Sequence, residues 1–423
     1  MTTPEPDRRG DRRIAVREAL RTFLLSRALV AVTALLASRA IDPAASGKAA
    51  VNDVPALTHP FGGWPLERLL DTLLSPLARW DAVWYLQIAD DGYSGDGPLP
   101  PERRAAFFPL FPYAARALAG FSESSGAHLI AAYAISLAAF LGALYLLYRL
   151  VDLELGSVVA RMAVLLLAFS PWTVFFSAPY TESLFLLLTV GAFYAARTGR
   201  WAWAGGLAAL ASATRVTGVL LIVPLVLLYL YDRDRPGLPA GWRPSARIRP
   251  DIGFLALAPV GLVLFSLHLW RALDDPLAWL DAQRTAGFGR QTDGPLAGLW
   301  AATREAAEGV AGVFGADVSG GLQSDTMPFL VLLGAVAVGI ALLRSLHPAY
   351  GAYALVALVP SLWAPSKTSP LLGLPRYATV LFPLFVWLAA VCVRRGWTET
   401  ALASSALLAG LFTAQFATWQ FVS

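Results

Sequence analysis

The chain has 423 residues, 57% hydrophobic and only 15% charged, with a mean hydropathy of +0.56, which excludes a soluble protein of this length and implies an all-α integral membrane protein. Its net charge of +4 rests on arginine, Lys48 and Lys367 being the only lysines, and the arginines fall mostly in short loops, where they serve topology and imply no nucleic-acid partner. Cys392 is the sole cysteine, so no internal disulfide forms, and His59, His128, His268 and His347 are scattered without ligand spacing, so no metal site is assigned and no cofactor is expected.

Taken in chain order, Arg8, Arg9, Arg12 and Arg13 precede an apolar run from residue 19 to Ile41, read as an uncleaved first span with its N-terminus in the cytoplasm. A long polar-flanked stretch follows, 42 to 126. Within it Leu66, Leu69, Leu70, Leu73, Leu74 and Leu77 keep helical spacing opposite Glu67, Arg68 and Asp71, the pattern of a helix lying flat on a bilayer. Arg79-Trp80-Asp81 to Gly92-Tyr93 then sets three carboxylates, Asp81, Asp90 and Asp91, among aromatic rings. If helical, this segment places Asp81, Trp84, Tyr85 and Ile88 on one face. A carboxylate partly desolvated by Trp and Tyr but open to a polar substrate can act as a base; the alternative is that Asp81 is only a helix N-cap among interfacial aromatics. The run Phe107-Phe108-Pro109-Leu110-Phe111-Pro112 reads as an entry to the second span, extended before each proline.

Spans are predicted near 127–150, 159–178 and 183–197. Ser177 to Ser183 joins the last two by a short turn that puts Glu182 at a helix start, either as a group near substrate or as a dipole partner beside a Thr181 cap. The segment 201–231 is flanked by Arg197 and Arg200 on one side and by Arg233, Arg235, Arg243, Arg247 and Arg249 on the other. Both ends are therefore expected in the cytoplasm, with two short helices meeting near Thr214-Arg215-Val216-Thr217-Gly218. Arg215 at such a break is costly unless it meets an anion or a partner; the alternative is a simple loop. Further spans near 252–272, 327–343, 347–363, 377–393 and 399–419 complete about 11 membrane segments, in one membrane domain over 1–423. The second long loop, 273–326, carries Leu299, Trp300, Val310, Val313 and Phe314 as a weaker interfacial pattern. This topology collects Asp81, Glu182, Arg215, Arg290, Lys367 and Arg376 near the extracytoplasmic face. Arginine's planar fork suits phosphate oxygens, which favours Arg376 over Lys367 beside Gly373-Leu374-Pro375. No GxxxxGKS or GxGxxG phosphate cradle occurs, which points away from a sugar nucleotide and toward a lipid-linked phosphate.

With these residues in place, the chain resembles the membrane mannosyltransferases of the PIG-V type, within the GT-C superfamily of polyprenyl-phosphate-sugar-dependent glycosyltransferases. The resemblance rests on Arg79-Trp80-Asp81 to Gly92-Tyr93, Phe107 to Pro112, Ser177 to Ser183, Ala213-Thr214-Arg215 with Gly218, and Pro375-Arg376-Tyr377 before Phe382-Pro383, with Gln283, Arg290 and Pro295 a weaker match. It implies a GT-C-like helical bundle and inverting transfer of a sugar, mannose by family, from a polyprenyl-phosphate donor to a glycan or glycolipid hydroxyl. By carry-over, Asp81 is the base, and Arg215, Arg376 and Lys367 hold the donor phosphate. Trp80, Trp84, Tyr85, Asp91, Tyr180, Glu182, Gln283 and Arg290 contact substrate. The arginine-rich, lysine-poor composition implies a bacterial plasma membrane, where the anchor elongated by eukaryotic members is absent, so the expected acceptor is a lipid-linked glycan or cell-wall polysaccharide. Two other classes compete: a lipid or glycan transporter, suggested by the many spans and the broken helix, and a catalytically silent partner of another transferase.

Overall fold

The computed structural model describes residues 8–42, 44, 60–95, 97–231, 248–285, 289–291, 294–314, 326–367 and 369–422. Among these the regular elements are all helices, with an isolated bridge between Arg290 and Ser366. Lys48, His59, Arg233, Arg235, Arg243 and Arg247 lie outside the described residues, as do the side chains of Val313 and Phe314.

α1 (Arg8–Ala40) has 33 residues, about 50 Å at 1.5 Å per residue, so it exceeds the hydrocarbon thickness and carries its basic start beyond it. α2 (Glu67–Leu74) is the amphipathic helix expected in the first loop. Its Leu70 and Leu74 pack against the core while Leu66, Leu69 and Leu73 stay exposed, a two-sided apolar helix suited to lying at an interface. α3 (Ala82–Asp91) follows, then α4 (Pro101–Arg104) and α5 (Leu110–Leu118). Extended chain before Pro112 is not observed. Pro112 sits in the first turn of α5, where its missing N–H has no intrahelical acceptor to lose, so Phe111 is helical.

α6 (Ser125–Leu155) is a single long span of 31 residues. The next predicted span divides at Pro171: α7 (Ser157–Ala168) stops, a 3₁₀ turn covers Thr173–Phe176, and α8 (Glu182–Arg197) begins after Pro179. α9 (Trp201–Ser212), a 3₁₀ turn (Val216–Leu221) and α10 (Ile222–Leu230) form the broken segment, its break where the sequence placed it. α9 has 12 residues, about 18 Å, too short to cross alone. The two halves fold back on each other. Trp201 and Tyr229, at the far ends, meet edge to face with ring centroids 4.7 Å apart, and a Cβ on Gly218 would lie 2.3 Å from the backbone of Ala211 and Ser212. Glycine is required for that approach.

A 3₁₀ stretch (Pro250–Leu257) runs into α11 (Val260–Leu273), and α12 (Ala278–Thr285) and α13 (Pro295–Phe314) occupy the second long loop. After α14 (Thr326–Ser345), the predicted 347–363 span is two helices, α15 (Pro348–Val356) and α16 (Val359–Trp363), interrupted before Pro360. The predicted 377–393 span is likewise divided, into α17 (Leu374–Thr379) and α18 (Phe382–Arg395), with Pro383 near the new start. α19 (Thr398–Ala417) ends the bundle.

Five segments among the described residues are each long and apolar enough to cross a membrane: Arg12–Ala40, Ser125–Leu155, Pro250–Leu273, Thr326–Ser345 and Thr398–Ala417. The protein is an integral membrane protein. Among the described residues there are two apolar cores, a larger one where α6 to α10 pack and a more aromatic one where α3 and α5 meet Tyr180 and Phe416. The polar residues described next lie beside the aromatic core.

Candidate functional site

The site starts from the Ser177–Glu182 turn. Glu182 opens α8 with its side chain 1% exposed, and an ionised carboxylate so enclosed needs cations. It has two. Glu182 Oε1 accepts from Arg215 Nη2 at 3.1 Å, and Arg376 Nε lies 3.0 Å from the same oxygen as an ion pair without an aligned N–H. Arg376 Nη1 in turn donates to Asp81 Oδ2 at 2.6 Å. Four charges from four distant segments thus form one chain: Asp81, Arg376, Glu182, Arg215.

Aromatic rings hold the guanidiniums in place. The Arg215 carbon lies 4.8 Å and the Arg376 carbon 5.1 Å from the centroid of Tyr377, and Arg376 also faces Tyr180 and Phe175, each at 5.5 Å. These contacts shield the charges from water and strengthen their attraction. Tyr377 was not singled out from sequence, although it adjoins Arg376 in the Pro375-Arg376-Tyr377 motif. The backbone break places Arg215: extended at φ −156, it leaves the helical path at the hairpin tip and reaches Glu182.

Neither expected cap forms, although Glu182 does sit in the first turn of α8 where the helix dipole favours an acid. Asp81 precedes α3 with helical φ −64 and ψ −15 and caps nothing; a side chain in that conformation does not reach the free N–H groups as an extended N-cap does. Thr181 does not cap α8 either; its hydroxyl lies 3.4 Å from that of Tyr85. Tyr180 fixes the Asp81 backbone: its hydroxyl accepts from the Asp81 N–H at 2.9 Å and donates to the Arg79 carbonyl at 2.8 Å. Between them Trp80 holds φ +50, a left-handed conformation that costs about 1–2 kcal/mol.

The remaining expected residues divide. Tyr85 is buried at the edge of the cluster beside Thr181, and Trp84 stacks on Phe107 at 5.3 Å. Arg290 gives its N–H groups to the carbonyls of Ala364 at 3.0 Å and Leu372 at 3.3 Å, which ties the 289–291 loop beside α17. Lys367 is exposed on the facing loop, its backbone N–H 3.2 Å from the Gly289 carbonyl. Gln283 reaches only the Ala106 carbonyl, at 3.5 Å. Neither Gln283 nor Lys367 touches the ion chain, and two further residues are directed elsewhere. Trp80 turns away and packs on Trp419 and Phe421, with centroids 5.7 and 5.5 Å distant. Asp91 ends α3, about 14 Å along the axis from its start, bonded to Gln87 in a separate cleft of 460 Å³ lined also by Asp90, Arg116 and Glu123.

The family model described as mannosyltransferase (PIG-V) matches residues 16–229, half of the chain. A GPI alpha-1,6-mannosyltransferase 2 from Rattus norvegicus is 35% identical over 172 residues, covering 37% of this chain and 32% of that protein, and the Homo sapiens protein of the same name is 32% identical over 170 residues, with the same shares. The chain thus matches about a third of the length of these relatives. Among solved structures, the apo oligosaccharyltransferase of Archaeoglobus fulgidus aligns with a TM-score of 0.44 at 14% identity, over 94% of this chain and 56% of that one.

Proposed function

The chain belongs to the mannosyltransferase (PIG-V) family, and on that premise we propose that it transfers mannose from a polyprenyl-phosphate donor to a hydroxyl of a glycolipid or lipid-linked glycan. The relatives carry GPI in their names, in keeping with a glycolipid acceptor. The reading places the reaction at the extracytoplasmic face of a bacterial plasma membrane, with residues 1–423 acting as one membrane domain.

The observation that carries it is the ion chain Asp81–Arg376–Glu182–Arg215, assembled at the tip of a broken helix. In the reaction proposed, the acceptor oxygen bonds to the sugar C1 as the C1–O bond to phosphate breaks, which inverts that carbon. Asp81 takes the hydroxyl proton, and polyprenyl phosphate leaves with the electron pair. While Arg376 Nη1 donates to Asp81 Oδ2, that oxygen is engaged and does not take the acceptor's proton. A donor phosphate that draws the Arg376 fork to itself frees Asp81 at the moment the acceptor needs it. Arg215 and Lys367 add positive charge where the leaving phosphate gains negative charge, Glu182 keeps both arginines aimed, and Tyr85, Trp84 and Arg290 line the approach.

The test is transfer of labelled mannose from a short-chain polyprenyl-phosphate mannose to a lipid-linked glycan by purified protein. Asp81→Asn is expected to lower kcat by about 10²–10⁴-fold, the usual worth of a general base, in a protein that still folds, with wild-type helical content by circular dichroism. Full activity in that variant removes Asp81 as the base.

A further inference from the structure

The four charges of the ion chain sum to zero, and both of its guanidiniums are already committed to carboxylates. A phosphate that gains negative charge as it leaves requires positive charge that is not already neutralised. Other enclosed guanidiniums are held by carbonyls: Arg27 donates to those of Thr173 and Ala168, Arg104 to those of Leu99 and Gly92 through two of its three nitrogens, and Arg290 to those of Ala364 and Leu372.

Arg79 is different. Its Nε is buried without a hydrogen-bond partner, and among the described residues no carboxylate lies within ion-pair distance of it. Burial pushes the guanidinium down to about 10, offset in part only by Tyr133. The group is placed over the Trp419 ring, 4.5 Å from its centroid, a contact that orients a cation and offers the Nε–H no acceptor. The next residue repeats the pattern: the Trp80 indole N–H is also buried without a partner, on a residue in the left-handed conformation. Two orphaned donors therefore flank the turn that Tyr180 clamps just before Asp81. Donors buried in this way are costly unless an acceptor arrives. The adjoining surface is apolar, with Phe421 packed on Trp80 and itself 55% exposed, which suits an anion carried on a hydrocarbon chain.

We propose that Arg79, with the Trp80 indole N–H, binds the phosphate of an isoprenoid-linked substrate on the Trp419 side of the turn that precedes Asp81. The identity of that lipid as sugar donor rests on the transferase reading above; the binding of the phosphate does not. The fork adds to Lys367 a second cation that no carboxylate neutralises among the described residues, and Trp419 lies against it.

The experiment measures binding of farnesyl phosphate, with farnesol as the uncharged control, to the full chain in phosphatidylcholine nanodiscs. Arg79→Met is expected to weaken farnesyl phosphate by about tenfold or more and to leave farnesol unchanged, as loss of a charge-assisted hydrogen bond predicts. Arg79→Lys keeps the charge without the fork and gives an intermediate loss, and it provides the reading where the Met variant is poorly folded. Trp419→Leu removes the ring but not the charge and is expected to bind within about threefold of wild type. Farnesyl phosphate binding within about twofold of wild type in Arg79→Met overturns the site. So does an equal loss in Trp419→Leu, which makes Arg79 an anchor for the C-terminal tail. Competition by phosphatidylglycerol as strong as by farnesyl phosphate overturns the substrate assignment in favour of a headgroup site. Wild-type protein that binds farnesyl phosphate through Arg79 yet forms no glycosidic bond supports the phosphate site and refutes the transferase reading.

Discussion

Glu182→Gln is the sharpest probe of the ion chain, because it keeps the volume of the side chain and deletes only its charge. Glu182 meets Arg215 at 3.1 Å and Arg376 at 3.0 Å, and the two cations are 14% and 12% exposed. At an effective dielectric constant of about 20, each attraction is about 5 kcal/mol before desolvation is counted. Removing the shared anion leaves Arg215 without a carboxylate and Arg376 with Asp81 alone, and the net cost of stranding a buried charge is about 3–5 kcal/mol after desolvation is counted. Unfolding of the purified protein in mixed micelles with increasing SDS reads that loss. A double-mutant cycle with Arg215→Met is expected to give a coupling of about 1–3 kcal/mol, since the two groups are in direct contact. Thr181→Ala is the companion control: with no cap to lose, it is expected to fall short of the ~1 kcal/mol a functioning cap contributes. A Glu182→Gln protein within about 0.5 kcal/mol of wild type, or a coupling near zero, refutes the pairing.

The hairpin and its orientation are open to two further tests. Gly218→Leu is expected to cost about 1–3 kcal/mol by overpacking and to lower transfer activity, because a side chain there meets the Ala211 and Ser212 backbone at 2.3 Å and pushes Arg215 away from Glu182. Gly206→Ala in α9, with nothing within 4 Å of the added carbon, is expected to leave activity intact and to stabilise by up to about 1 kcal/mol; equal effects of the two substitutions in a thermal unfolding assay refute the close approach. Single cysteines replacing the exposed Arg200 and Arg249, at the two open ends of the hairpin, are expected to react with a membrane-impermeant maleimide from one side, and a cysteine replacing Lys367 from the other. Cys392 is buried and gives little background. Labelling of positions 200 and 249 from opposite sides refutes the fold-back.

The sequence alone determined the features that depend on neighbours along the chain. Apolar runs of span length, the amphipathic Leu66–Leu77 stripe, the helix after Trp80 and the break at Arg215 follow from local periodicity and from the price of a charge inside a lipid-facing helix. Arginines on both sides of 201–231 foretold a hairpin, because two ends on one side require an even number of crossings. Prolines split three predicted spans at Pro171, Pro360 and Pro383, since length and apolarity count residues without asking whether the backbone can continue. Only the tertiary structure decided how the charges pair. Asp81 and Arg376 are 295 positions apart, and nothing local states that Glu182 serves two arginines or that Tyr377 lies beneath both. Likewise Trp80 and Asp91, expected near the substrate by proximity in a motif, diverge because a left-handed turn swings one toward the C-terminal tail and the length of α3 carries the other to a different cleft. Spacing fixes which residues share a helix face; which distant face meets it depends on how the whole bundle excludes water.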